Sequence, residues 1–227
     1  SDSHRTADEY AGLLAPLFQQ VDFNWSNVED VIISSVVPGA DSHLGEFAEK
    51  YFRQKADFIT SDHVKSIIAV RLKKPEEVGA DRLVNAIAVK EHYQCPAIVV
   101  DFGTATTFDV IDKEGAYSGG VIAPGINLSI ESLHRAAAKL PMVEITKPHK
   151  VIGKNTVDAM RSGIYWGYVS LIEGMIERIT QEMSEEPRVV ATGGLAPLFE
   201  RGTTRLDVID QDLTIKGLLH IHQVYSS

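Results

Sequence analysis

The densest run of residues able to do chemistry is Asp101-Phe102-Gly103-Thr104-Ala105-Thr106-Thr107, set between the apolar Ile98-Val99-Val100 and Phe108-Asp109-Val110. The pattern predicts two strands joined by a tight turn. At such a turn glycine lets the backbone approach a ligand. The threonine hydroxyls and free amides donate to phosphate oxygens, and Asp101 at the strand end can hold a cation beside them. The same residue types also suit an ordinary strand-turn-strand, so the phosphate reading needs support from elsewhere in the chain.

Other stretches offer it. In Gly79-Ala80-Asp81-Arg82 an acid and an arginine fall in the first turn of an expected helix. Asp81 can accept a proton from a substrate hydroxyl while Arg82 forks onto a carboxylate or phosphate. The alternative is a first-turn acid stabilised by the helix N-terminus beside a solvated arginine. Gly153-Lys154-Asn155-Thr156 fails as a Walker A loop, because the leading glycine position is Pro148 and Asn155 stands where Ser or Thr is required. What remains is Thr156 at a helix start, either a cap or a hydroxyl offered to a ligand. Gly193-Gly194, leaving a strand after Thr192, is either a plain turn or a flat platform under a nucleotide.

The elements that must position these residues can be read from periodicity. Helices are expected over Thr6 to Gln20, around Leu44 to Phe52, from Gly79 to about Tyr93, over about Ile126 to Ala138, from Thr156 to about Thr180, and over Leu213 to Tyr225. Strands are expected over Val31 to Val37, closed by Pro38, and over Asp57 to Thr60, then from Ala97, Tyr117 to Ile122, Val189 to Thr192 and Leu206 to Ile209. The first part alternates helix and strand, which implies parallel strands, and the consecutive hairpins after Ala97 imply a partly antiparallel sheet. A domain boundary is placed at Cys95-Pro96. In the long helix Gly163, Gly167, Ser170 and Gly174 share a face, suited either to packing inside the subunit or to contact between subunits.

Composition excludes several classes. The 227 residues, 44% of them hydrophobic, are ample for a real core. The net charge of -9, with no dense Lys/Arg stripe, argues against nucleic acid. No long uncharged apolar run and no leader-like start is seen, so a cytoplasmic protein without a membrane span is expected. The single cysteine, Cys95, reads as a small buried filler rather than a nucleophile. His220 and His222 do not share a helix face, which argues against a metal site there. Asp101-Phe102-Gly103 lacks the catalytic and glycine-rich loops that accompany that triplet in protein kinases, and no full Gly-x-Gly-x-x-Gly fingerprint follows a strand.

Each signal is modest, but their order is specific. Gly79-Ala80-Asp81-Arg82, Asp101 to Thr107, Gly119-Gly120-Val121-Ile122-Ala123-Pro124-Gly125, Ala138-Lys139-Leu140-Pro141, Gly153 to Thr156, Ser162-Gly163-Ile164-Tyr165-Trp166-Gly167 and Thr192-Gly193-Gly194 together resemble type III pantothenate kinase over nearly the whole chain. The resemblance implies an α/β fold of two ribonuclease-H-like domains with mixed sheets, of the actin-like ATPase class, here residues 1–95 and 96–227. It implies ATP-dependent phosphorylation of pantothenate, the first step of coenzyme A synthesis, by a homodimer that uses Mg²⁺ and a monovalent cation, K⁺ or NH₄⁺. Carried over by position, Asp81 is the proton acceptor, and Gly79, Ala80, Asp81, Arg82 and Thr156 form the pantothenate site. Gly103, Thr104, Gly193 and Gly194 meet ATP, and Asp101 holds the monovalent cation. Leu72 stands where many members have a tyrosine lining the pocket. The family also opens with a strand carrying an Asp-x-Gly-Asn-Thr phosphate loop that this sequence, from Ser1, does not show; a longer native polypeptide that supplies it is the expectation. A non-catalytic relative that binds nucleotide or partner proteins is the alternative.

Overall fold

The structure, a computed structural model, describes residues 5–35, 37–136 and 141–226, with the side chains of Pro38 and Ser61 left aside. Most of the Ala138-Pro141 stretch, and the end of the helix expected to reach Ala138, lie outside the described residues.

The first helix, α1 (Ala7–Gln20), begins where the sequence says it should. Thr6 accepts from the Glu9 amide while the Glu9 carboxylate takes the Thr6 amide, a reciprocal cap that satisfies two otherwise orphaned donors. Strand β1 (Val31–Ile33) is shorter than expected. Pro38, read as the residue that closes the strand, instead opens helix α2 (Pro38–Phe47), where its missing N–H costs nothing. A π turn over Ala48–Phe52 continues α2, and strand β2 (Ala56–Phe58) pairs with β1 in parallel. Helix α3 (Ser61–Lys65) is too short to show a period in the sequence.

Helix α4 (Ala80–His92) leads to β3 (Ala97–Phe102), β4 (Ala105–Ile111) and β5 (Tyr117–Pro124). After α5 (Ile126–Ala136) and the long α6 (Thr156–Glu182) come β6 (Arg188–Thr192), the four-residue α7 (Ala196–Phe199), β7 (Val208–Ile209) and α8 (Leu213–Tyr225). The second sheet has the order β5-β4-β3-β6-β7, with β4 antiparallel to both neighbours and β6 parallel to β3 and β7. That combination of an antiparallel meander and a parallel extension is the mixed sheet expected of a ribonuclease-H-like unit.

The apolar faces explain the layers. Ala97, Val99, Ile111, Tyr117 and Val190 turn one face of the second sheet toward α4 and α8, while Ile98, Val100, Phe108 and Ala191 turn the other toward α6. Helices α4 and α8 approach so closely at Gly217 that a Cβ there would stand 2.3 Å from the Val84 carbonyl oxygen. Gly163 and Gly167, in contrast, are exposed on α6, and, the helix's own backbone aside, none of the described residues comes within 4 Å of a Cβ placed at either.

Candidate active site

Three chain turns meet at the end of β3, two of them directly against Asp101. The Gly103 amide donates to the Ala105 carbonyl at 3.1 Å, which closes the β3-β4 turn immediately after the acid. Gly193, just past β6, has φ +89°. A Cβ there would lie 2.7 Å from the Phe102 carbonyl and 2.8 Å from Asp101 Oδ1, so both backbone conformation and space demand glycine. Gly125, past β5, packs so tightly that a Cβ would meet the Thr104 carbonyl at 2.1 Å. Gly103 and Thr104 themselves are exposed, and Gly194 has open space on its side, which leaves a bare backbone surface above the ends of β3 and β6.

Asp101 is oriented from behind. Asn85 Nδ2 on α4 donates to its Oδ2 at 3.1 Å, and Asn85 Oδ1 in turn accepts from the Thr214 hydroxyl on α8 at 2.6 Å. Its Oδ1 is left facing the Gly103 and Gly193 turns. Burial pushes the Asp101 carboxyl above the usual range; Asn85 works against this, and the nearby Asp81 and Asp109 carboxylates add to it. A carboxylate whose ionised form is costly, beside backbone carbonyls such as Phe102, is a donor set suited to a hard cation.

Asn85 stands one helical turn after Asp81, so the same helix carries both. Gly79 is the N-cap of α4 and Ala80 is buried beneath it, which leaves Asp81 and Arg82 half-buried in the first turn. Asp81 Oδ1 accepts from the Arg82 amide at 2.9 Å. The Arg82 guanidinium is largely buried and paired rather than free in solvent. Its Nε and Nη2 reach Asp109 Oδ1 on β4 at 2.7 and 2.6 Å, the Tyr117 hydroxyl donates to the same oxygen at 2.8 Å, and the Thr107 hydroxyl donates to Oδ2 at 3.0 Å. Burial pushes the Asp109 carboxyl up and the adjacent guanidinium holds it against that rise. Burial also works against the Arg82 charge, but Asp109 outweighs it and strengthens the hold of Arg82 on its proton.

The sequence-derived residues therefore fall into two groups. Gly79 to Arg82, Asp101, Gly103, Thr104, Gly193 and Gly194 lie on the ends of α4, β3 and β6, linked through Asn85 and Asp109. Thr156 sits on a different element, exposed in the first turn of α6; the cap there is Asn155, whose Oδ1 accepts from the Asp158 amide at 2.9 Å, so the threonine hydroxyl has no capping duty. Among the described residues, no hydrogen bond joins Thr156 to Asp81 or Asp101. Asn85, Asp109, Tyr117 and Thr214 were not foreseen; the available signal was a polar residue on an apolar helix face and an acid inside an apolar strand. Leu72 is half-buried and packs toward Gly119.

A cavity of about 690 Å³ opens elsewhere, between the β5 edge and the end of α6, lined by Arg71, Asp112, Val121, Met175 and Arg178, and by neither Asp81 nor Asp101. Among the described residues no cluster of three or more His, Cys, Asp or Glu is placed to hold a metal ion, and no helix is long and apolar enough to cross a membrane.

This arrangement can be set beside known proteins. The model of the type III pantothenate kinase family matches residues 1–178. The type III pantothenate kinase of Paramagnetospirillum magneticum is 51% identical over 98% of this chain and 86% of its own length. That of Rhodospirillum rubrum is 50% identical over 98% and 87%. Among solved structures, one described as a Baf family transcriptional activator from Campylobacter jejuni superposes with a TM-score of 0.59 at 18% identity, over 92% of this chain and 88% of that one. One described as a 2-dehydro-3-deoxygalactonokinase from Sinorhizobium meliloti gives 0.56 at 12% identity, over 96% and 84%. At such identities the structural likeness speaks for the fold alone: α/β, of two ribonuclease-H-like units, the second carrying the mixed sheet and the first showing the parallel β1-β2 pair.

Proposed function

The chain belongs to the type III pantothenate kinase family, and from that premise we propose how its residues carry out the chemistry. The protein is a pantothenate kinase: it transfers a phosphoryl group from ATP to the 4′-hydroxyl of pantothenate, the first step of coenzyme A synthesis. The observation that carries the residue assignments is the linkage of the α4 first turn to the β3 end, Asp81 one turn from the Asn85 that grips Asp101.

In this reading Asp81 aims the substrate hydroxyl and takes its proton. Phosphoryl transfer runs through a loose transition state, so positioning and charge neutralisation count for more than base strength, and a first-turn carboxylate suffices. Gly79 and Ala80 bring backbone close to pantothenate, and Arg82 offers the N–H groups that Asp109 leaves unused. The free hydroxyl of Thr156 completes the substrate contacts. The exposed Gly103-Thr104 turn and the Gly193-Gly194 platform lie against ATP, whose phosphates bring Mg²⁺ with them. Asp101 Oδ1 and the neighbouring carbonyls fit a monovalent cation, K⁺ or NH₄⁺, which when bound offsets charge on the phosphates. The remaining parts of the reading are a division into halves at residues 1–95 and 96–227, a homodimer in contact through the open Gly163/Gly167 face, and a cytoplasmic enzyme. A coupled assay of the full-length protein with ATP, pantothenate and K⁺ tests the catalytic reading. Turnover that needs pantothenate and is lost in Asp81→Asn is expected, and turnover indifferent to either contradicts the reading.

A further inference from the structure

Asp109 is fully buried in the middle of β4. An ion in that position costs several kcal/mol unless it is paired and hydrogen-bonded, so the strand must be built around its partner. The surroundings bear this out. Gly120, the register partner of Asp109 on β5, is where any Cβ would stand 2.8 Å from Arg82 Nη2 and 2.2 Å from the Phe108 carbonyl. Glycine weakens a strand interior, and its use here clears the path of the guanidinium. Tyr117 adds its hydroxyl to Asp109 Oδ1 and lies with its ring 5.8 Å from the guanidinium carbon, while Thr107 occupies Oδ2. The β4-β5 hairpin is thus shaped to receive one arginine from α4. The backbone amide of that arginine is the donor to Asp81 Oδ1.

We propose that Asp109 is a positioning residue: acting through Arg82, it locks the first turn of α4 onto the β4-β5 hairpin, setting the aim of Asp81 and the direction in which the remaining Arg82 N–H groups meet pantothenate. The inference rests on the reading of this turn as the pantothenate site. Asp109→Asn keeps the shape and an acceptor oxygen but removes the charge that grips the guanidinium. A purely structural ion pair predicts lost stability without preference between substrates; a positioning pair predicts a loss confined to pantothenate.

The test uses the full-length protein as wild type, Asp109→Asn, Arg82→Met and the double variant, each checked for cooperative melting. Pantothenate binding is measured by calorimetry without ATP, and kcat and both KM values by coupled assay. In Asp109→Asn the pantothenate Kd and KM should rise about tenfold or more while the ATP KM moves less than about threefold, as expected when one partner of a buried charge pair is removed beside one ligand only. The double variant should be no worse than Arg82→Met, because the two residues act as one unit. Effects that multiply, equal weakening of both substrates, or an unchanged pantothenate Kd would each overturn the inference. Should Asp109→Asn fail to fold, Tyr117→Phe removes one hydrogen bond to the same oxygen. It should raise the pantothenate KM about threefold, the worth of one modest hydrogen bond, and no rise overturns the inference. A wild type that binds ATP but neither binds nor phosphorylates pantothenate overturns the functional reading and the inference with it; an active wild type with an unaltered Asp109→Asn overturns the inference alone.

Discussion

Gly193→Ala is the sharpest single test of how the site is built. At φ +89° an alanine is strained, at a cost of about 1–3 kcal/mol. Its Cβ would also stand 2.7 Å from the Phe102 carbonyl and 2.8 Å from Asp101 Oδ1, separations at which something must move. The Phe102 carbonyl is fixed in the sheet by the antiparallel pairing of Phe102 with Thr106, so the movable group is the Asp101 carboxylate. Turning it away breaks the 3.1 Å bond from Asn85, worth about 1.5–3 kcal/mol for a charged acceptor. Together these amount to about 2.5–6 kcal/mol, which for a chain of this size lowers the melting temperature by roughly 5–24 °C. Gly194→Ala, one residue on, is the control: a Cβ there meets nothing within 4 Å. Thermal unfolding followed by circular dichroism should separate the two variants by that margin, and the Gly193→Ala protein that remains folded should have lost its response to K⁺. If the two variants melt together, the convergence of turns on Asp101 is not as described.

Other consequences are quickly stated. Asp81→Asn should cut kcat by about 10²–10⁴-fold, the usual share of a general base, with the melting temperature unchanged; near-normal turnover in the folded variant removes Asp81 from the mechanism. The full-length protein should sediment as a dimer at micromolar concentration and Gly167→Trp, placed on the open face of α6, should shift it toward monomer; a dimer indifferent to that change places the contact elsewhere. Asp101→Asn should remove K⁺ or NH₄⁺ activation and, without the cation, melt higher than wild type at neutral pH. Burial, then Asp81 and Asp109, raise the folded-state pKa of Asp101 above its unfolded value, so folding is penalised in full above the folded pKa and the penalty fades as pH falls through that interval. A stability gap that widens on acidification contradicts this.

The contrast between what the sequence makes legible and what it does not lies in the range of the interactions. Thr6 and Glu9 cap a helix three residues apart, and the whole span of α8 follows from its own period, so both are visible in a local window. Asp101 and Gly103 are visible because a strand ending in an acid and a glycine is a local pattern. The chemistry of Arg82, however, depends on Asp109, 27 residues away, and that of Asp101 on Asn85, itself held by Thr214 a further 129 residues along. No window sees those pairs, and read alone Arg82 is as well explained by solvent as by a ligand. What the chain does display is the debt each long-range pair leaves behind: a polar side chain on the buried face of α4, an acid in the apolar run of β4, and a glycine at position 120 where a strand would be stronger without one. Burial forbids each of these unless something distant answers it, so local misfits in an otherwise apolar pattern mark the positions where the first two turns of α4, the end of β3 and the β4-β5 hairpin come together.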